Sequence, residues 1–373
     1  MTWNWQLPGW PNFRWDEGKL QAVEVSFREN VGFVMGATSH LSAENKEALL
    51  VEFMCVEALD TSEIEGEFLN RDSVQSSIRR ALGLAVEYGK PAKPAEVGVA
   101  EMMANLYQTS TAPLTETVLF HWHNLLMQGR KEIKIGAYRD HAETMQIVSG
   151  PDYARKIHFE APPSVQVSSE MNVFLEWLVR TAPTGETPLP ILTRAGIAHL
   201  WFESIHPFED GNGRIGRAIA EKILSQRLRD TPCITNLSKI LLKRKSAYYA
   251  NLNAASKTLD ITDWLYWFSL MVIEAQGYVQ RYVHFILEKS TLLEFVRGKL
   301  NLRQEKVVYR MLREGPDGFL GGLSAANYMS LTGATTATTT RDLGELVKLE
   351  ILERVGEKKA TRYHLCIATK AAG

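Results

Sequence analysis

Apolar residues recur every three or four positions along most of this chain, and alternating runs are few. The pattern therefore predicts a mainly α-helical fold. From Leu20 the positions Val23, Phe27, Val31 and Val34 share one helical face. A second helix is expected after the cap residue Ser42, through Leu49, Leu50, Phe53, Met54 and Val56, leading towards Thr61-Ser-Glu-Ile-Glu65-Gly66. Further helices are expected over 71–84, 97–107, 117–127, 171–180, 193–204 and 214–228, and from near 243 to near 289, with a loop at Gly89-Lys-Pro-Ala-Lys-Pro. One stretch breaks the helical period: Met145–Val148 and Lys156–Phe159 read as short strands joined through Ser149-Gly-Pro-Asp.

The two ends differ from the middle. Trp3, Trp5, Trp10, Phe13 and Trp15 lie between prolines, too irregularly for a helix or a good strand. So many aromatics are a liability when exposed, so this segment is expected to lie across the body of the protein or against a second copy of it. From Ser324 a short helix runs through Met329, a turn follows at Leu331-Thr-Gly333, and a second helix covers 340–349. Ile351–Val355 and Arg362–Leu365 then alternate like strands. Helix, turn, helix and hairpin form the outline of a winged helix. The expected organisation is an N-terminal helical region over 1–110, a central domain over 111–289 and a winged-helix-like domain over 290–373.

Composition narrows the setting. The 373 residues are 45% hydrophobic and 23% charged with a net charge of −1, so no global field recruits nucleic acid or membrane. The three cysteines, Cys55, Cys233 and Cys366, lie far apart and fit neither a disulfide framework nor a metal site. No basic-then-apolar leader opens the sequence, and the apolar stretch 261–278 is interrupted by Asp263 and Glu274. Its Trp264, Trp267, Phe268 and Met271 recur at helical spacing, which favours a buried helix over a membrane span. A reducing, cytoplasmic location is expected.

The chemistry concentrates in His206-Pro-Phe-Glu-Asp-Gly-Asn-Gly-Arg-Ile-Gly-Arg217. Gly211 and Gly213 flank Asn212, so the backbone there can take positive φ and aim successive N–H groups at one spot. A helix starting behind such a nest is an anion site. Arg214 and Arg217 fall on one face of that helix. Asp210 is a hard oxygen donor suited to Mg2+, and it can alternatively cap the helix. His206, with an ordinary pKa of ~6.5, can accept a proton at neutral pH. Phe208 is expected to anchor the loop in the core, and Glu209 to be solvated. Elsewhere, each of these residues alone would read as structural.

The segment matches, position by position, the signature His, any residue, Phe, any residue, Asp or Glu, Gly-Asn-Gly-Arg, two of any, Arg, and the chain resembles the Fic family over about residues 45–285. The resemblance implies a helical core with a β-hairpin flap. It also implies AMP transfer from ATP to a Ser, Thr or Tyr hydroxyl of a protein, the enzyme itself included, with a reverse reaction in some members. In that frame His206 deprotonates the hydroxyl and Asp210 holds Mg2+ across the α- and β-phosphates. Gly211, Asn212 and Gly213 cradle the α-phosphate, with the Asn212 amide donating. Arg214 and Arg217 bind the β- and γ-phosphates. Residues 145–159 correspond to the flap that aligns the target, with Gly136-Ala-Tyr-Arg139 and Pro162-Pro163 as its surroundings. Tyr248, Tyr249 and Asn251 are placed near the adenine by analogy with the helix after the motif. The Thr61–Gly66 stretch is spaced like the family's inhibitory motif, with Glu65 paired to Arg217, although by itself it reads as an acidic helix end. The partners implied are a target protein at the flap and a second copy in a homodimer.

A different class remains open: a nucleotide-sensing regulator that binds DNA through the C-terminal segment. From residue 291 onward thirteen Lys/Arg face nine Asp/Glu. The expected groove-reading helix offers little beyond Arg341 and threonines, so specific DNA is not favoured over a protein partner or the dimer mate. An enzyme needs His206, whereas a sensor needs only the nest and the arginines.

Overall fold

The computed structural model describes residues 2–85, 91–149, 156–226, 235–315, 318–319 and 321–366. They form fourteen α-helices and two short antiparallel hairpins, as the helical period requires. The loop at Gly89, the turn after Ser149 and Cys233 lie outside the described residues. The chain divides into two compact units, Met1–Gly277 and Tyr278–Gly373.

In the first unit α1 (Glu17–Ser39) buries Leu20, Val23, Phe27 and Val34. Helix α2 (Ala43–Ile64) is capped by Ser42, whose side chain accepts from the Asn45 N–H. It ends at Glu65, where Gly66 turns the chain with φ +82°. Next come α3 (Arg71–Ala81), α4 (Pro94–Gln108) and α5 (Glu116–Leu126). The hairpin β1 (Gln146–Ser149) and β2 (Lys156–Glu160) pairs Gln146 with Glu160 and Ile147 with Phe159, and an irregularity beyond Ile147 pairs Val148 with Ile157.

Helices α6 (Ser164–Arg180), α7 (Ile191–Ile205) and α8 (Asn212–Ser225) follow. Every residue of α7 is buried, and α8 packs directly on it, so the loop between them is held from both sides. The helical stretch expected from 243 to 289 is instead broken, with one short helix ending at its start and two more following. These are α9 (Leu237–Lys243), α10 (Lys245–Ala255) and α11 (Thr262–Val296), which runs past the expected boundary at 289. The break at 256–261 has a tertiary cause. The N-terminal arm docks there, with Arg14 N–H donating to the Leu259 carbonyl and Ile261 N–H donating to the Arg14 carbonyl.

Of the two placements open to the aromatic N-terminus, the arm takes the first and lies across the body. Trp10 and Phe13 meet Trp201 edge-on at 6.1 and 5.9 Å between ring centroids. The apolar stretch around Trp264, Phe268 and Met271 is a buried helix face. Among the described residues no helix is long and apolar enough to cross a membrane.

In the second unit, α12 (Leu302–Arg313) precedes α13 (Ala325–Thr332) and α14 (Thr336–Lys348), with Gly333 in the left-handed region between the last two. The pattern of apolar residues did not single out α12. A hairpin of β3 (Leu352–Val355) and β4 (Arg362–Leu365) closes the unit. Its core gathers Val307, Val308, Met311, Tyr328, Leu343 and Leu346, with buried Asp342 accepting from the Tyr328 hydroxyl at 3.0 Å and from Arg303 Nε at 2.8 Å.

Candidate active site

His206 ends α7 in a left-handed conformation, φ 50° and ψ 61°, unusual for a residue with a β-carbon. That turn swings the chain out of the helix and into the loop. Arg139 holds the turn in place. Its Nε donates to the His206 carbonyl at 2.8 Å, and its Nη2 donates to the carbonyls of Pro162 at 2.6 Å and Ile205 at 3.2 Å. From the other side, His123 of α5 stacks on Phe208 at 4.2 Å. His123 Nδ1 accepts from the Gly136 N–H at 3.0 Å, which leaves Nε2 to donate to the Asp210 carbonyl at 3.2 Å. Phe208 is fully buried, the anchor its position predicted.

The two glycines beside Asn212 serve different needs. Gly211 takes φ +83° and starts α8, whereas Gly213 is already helical. The requirement at 213 is room: a β-carbon there would overlap Glu65 Oε1. The first intrahelical bond of α8 runs from Ile215 N–H to the Gly211 carbonyl. The N–H groups of residues 212, 213 and 214 therefore have no acceptor within the helix, and they form the positive end of its dipole. The Glu65 carboxylate lies beside Gly213, where a β-carbon would stand.

The Asn212 side chain is tied to its own loop. Its Oδ1 accepts from the Phe208 N–H at 2.9 Å and its Nδ2 donates to the Phe208 carbonyl at 2.8 Å. The side chain thus closes the loop through Oδ1 and one of its two Nδ2 hydrogens. Glu209 is corrected: it is half-buried and accepts from the Lys134 N–H at 3.3 Å. Asp210 does not cap α8, whose first residue follows Gly211.

The arginines are buried and occupied. Arg217 donates to Glu65 Oε1 at 2.6 Å, to Thr61 Oγ1 at 2.8 Å and to the Thr61 carbonyl at 3.0 Å. Arg214 pairs with Glu67 at 2.7 Å. Burial pushes the Glu65 carboxyl up, but Arg217, Arg214 and Lys245 together outweigh it and hold Glu65 below the ordinary range. The Thr61–Gly66 segment therefore ends on the motif, where Thr61 and Glu65, across the last turn of α2, grip Arg217.

These groups meet in one cavity of about 540 Å3, lined by Glu65, His206, Asp210, Gly211, Asn212, Gly213, Arg217, Tyr248 and Tyr249 and by Met145, Ile147, His158 and Phe159 of the hairpin. The size lies in the ~300–1,000 Å3 range of small-ligand sites. A larger groove of about 960 Å3, against Trp15, Trp177 and Trp201, contains none of the motif residues. Tyr248 is buried and hydrogen-bonded to His199 at 2.8 Å, whereas Tyr249 is half-exposed. Asn251 is not part of the lining. Its amide donates to the Ala247 carbonyl, and Asn253 faces the cavity in its place.

Burial, followed by the Arg139 guanidinium, pushes the His206 pKa down to about 4, so the ring is neutral and can accept a proton at pH 7. Glu203, one turn earlier on α7, lies 3.7 Å from His206 Nδ1, and burial pushes its carboxyl up to about 8. No motif marked Glu203, His123 or Asn253. Glu203 supplies a stability test. A folded-state pKa raised above the unfolded value gives stability that is lost as pH rises through the folded value. The melting temperature is therefore expected to fall between pH 5 and pH 8 on account of this group, and Glu203→Gln to narrow that fall. Melting curves of both proteins at the two pH values check it, and an equal fall in both would remove Glu203 as the source.

Metal binding rests on few groups. Among the described residues no cluster of three His, Cys, Asp or Glu side chains could hold an ion. Asp210 is half-exposed at the cavity, with Arg214 and Arg130 no nearer than 3.7 and 3.9 Å. Asp210, whose Oδ1 accepts from the Gly211 N–H at 2.6 Å, still presents a half-exposed carboxylate to the cavity and fits Mg2+, which typically reaches a protein through one or two carboxylates plus substrate phosphates.

Residues 113–224 match the Fic/DOC family, and residues 3–84 match DUF4172, a domain of unknown function. The chain is 24% identical over 216 residues to an Aquifex aeolicus (strain VF5) protein named as a probable protein adenylyltransferase, covering 57% of this chain and 59% of that relative. The chain thus spans less than two thirds of the relative's length. Its fold is similar to that of a Fic family protein from Desulfovibrio desulfuricans G20, with TM-score 0.50 and 22% identity over 92% of this chain and 95% of the other. A Fic domain containing signaling protein from Bacteroides thetaiotaomicron VPI-5482 gives TM-score 0.51 and 17% identity over 71% and 96%. The twelve-residue motif, the helical fold around it and the match over 113–224 agree: this chain carries a Fic/DOC family domain.

Proposed function

We propose that this protein is an adenylyltransferase that moves AMP from ATP to a hydroxyl side chain of a target protein and of itself. The observation that carries the reading is the Glu65 carboxylate lying beside Gly213 at the start of α8 and gripped by Arg217. It supports an oxyanion site at this end of α8, beside a histidine that burial keeps neutral at pH 7. In the reaction His206 takes the proton of the attacking hydroxyl, and the free N–H groups of residues 212–214 stabilise charge on the phosphoryl oxygens. Arg214 and Arg217 hold the outer phosphates through their planar forks. The bond from the hydroxyl oxygen to the α-phosphorus forms as the bond to pyrophosphate breaks in line. Asp210 would hold Mg2+, which supplies neutralisation of phosphate charge. The reverse reaction, with Glu65 positioning water, belongs to the same proposal.

The hairpin supplies the target side of the cavity. Ile147, Val148 and Ile157 are each about 40% exposed, an apolar strand surface suited to an extended segment. The C-terminal unit is proposed to act as a winged-helix-like protein contact, including one between two copies, and DNA is the alternative partner. The cytoplasm is the proposed location.

The metal role gives the test. With ATP present, pyrophosphate release should rise with Mg2+ concentration in the wild type, and Asp210→Ala should remove both that dependence and most of the release. An unchanged Mg2+ titration in the variant would place the metal elsewhere. Release of orthophosphate in place of pyrophosphate would overturn the reaction itself.

A further inference from the structure

The N-terminal arm, within the region of unknown function, makes contacts that a simple surface tether does not need. Trp3 is buried and packs edge-on against Phe159 of β2 at 5.2 Å between ring centroids. Phe159 in turn lies 6.5 Å from the His206 ring. Asn4 is fully buried. Its amide donates to Ser204 Oγ at 2.8 Å, two residues before the base, and its N–H donates to the Ser256 carbonyl at 2.7 Å. The Trp5 indole N–H donates to the Glu160 carbonyl at 2.7 Å. Three consecutive residues therefore join the hairpin to the end of α7.

The hairpin has reason to need such support. Two isolated strands are marginally stable in water. One edge of β2 pairs with β1, and side chains cap carbonyls of the same strand: Trp5 takes that of Glu160, and Asn253 Nδ2 donates to that of His158 at 2.5 Å. A tryptophan N–H placed at a strand carbonyl holds it at a fixed distance, because the ring is rigid and its body is packed. The base and the flap belong to different elements, and the arm sets their separation.

We propose that Trp3, Asn4 and Trp5 are positioning residues that fix the hairpin against the base, so that a target hydroxyl bound along the hairpin meets His206. The proposal rests on the adenylyl-transfer reading. It assigns the arm an effect on polypeptide alignment and none on nucleotide binding, because no arm residue lines the cavity.

The test uses the full chain carrying Glu65→Gly, with Trp5→Phe, Trp3→Ala or Trp3→Phe added. Three quantities are read: the initial rate of self-labelling from ATP labelled at the α-phosphate, the ATP Kd by calorimetry, and amide hydrogen exchange over residues 157–160. Because a misplacement of about 1 Å costs up to a hundredfold, Trp5→Phe and Trp3→Ala should label on the order of tenfold more slowly. Their ATP Kd should stay within about twofold of the parent's, by the same geometric argument. Exchange should quicken over 157–160 alone, and Trp3→Phe, which keeps a ring against Phe159, should recover most of the rate. A parent-like rate in Trp5→Phe overturns the proposal, as does an equal loss of ATP affinity. If Trp3→Ala fails to fold, Trp5→Phe and Trp3→Phe still decide. If the Glu65→Gly parent takes up no label, the adenylyl-transfer reading fails. Exchange then decides the brace by itself: protection unchanged by Trp5→Phe refutes it, and local loss of protection supports it.

Discussion

Glu65→Gly is expected to raise the rate of self-modification by roughly a hundredfold at saturating ATP. Arg217 has one fork to offer, and three of its donor contacts go to Thr61 and Glu65. A γ-phosphate must displace the carboxylate to reach that fork and the space beside Gly213. While Glu65 stays, ATP can still bind through the adenine side of the cavity and the remaining phosphate contacts, but its α-phosphate is misplaced. A displacement of about 1 Å can cost a hundredfold in rate, so one ion pair is a sufficient brake. The substitution leaves the fold largely alone. Glu65 follows the last residue of α2, its side chain is about a third exposed, and glycine near a helix end costs about 1 kcal/mol. Initial rates of wild type and variant, both shown to be folded by circular dichroism, check this. Equal rates would reduce the Thr61–Gly66 stretch to an acidic helix end.

His206→Ala should leave ATP binding nearly unchanged and lower transfer by ~10²–10⁴, the usual worth of a positioned general base. The ring is neutral at pH 7 because burial and Arg139 hold its pKa at about 4, so it adds no charge to phosphate binding. Its main-chain geometry is set by Arg139 through a carbonyl, which alanine retains. The left-handed φ of 50° is a strain that alanine shares, so the variant is best made beside His206→Gly, which relieves it. A transfer rate near wild type in both, with ATP Kd unchanged, would mean that another group takes the proton.

Much of the site was legible because its residues are contiguous. His206 through Arg217 form one turn and one helix start, and helical spacing alone brings Arg214 and Arg217 near the nest. The Glu65–Arg217 pair was legible only through the resemblance of the Thr61–Gly66 spacing to the Fic inhibitory motif. What escaped was whatever depends on distant elements. Asn212 looks like a phosphate donor, but its second task, tying the Phe208 backbone, shows only in the fold. Asn251 and Asn253 are equally plausible on a helix of unknown phase, and only packing turns Asn253 inward. His123, Asn4 and Glu203 carry no local signature, because each acts on the loop from another part of the fold. The break before α11 was hidden for the same reason, since the arm that pairs with 259–261 lies some 250 residues earlier in the chain.

The most direct measurement offers the purified Glu65→Gly protein ATP carrying label at either the α- or the γ-phosphate, with Mg2+, and locates label on the polypeptide by mass spectrometry. The account predicts AMP on a Ser, Thr or Tyr side chain from α-labelled ATP, none from γ-labelled ATP, and none from either when His206→Ala is added. Label arriving from the γ-position would mean phosphoryl transfer and would contradict it.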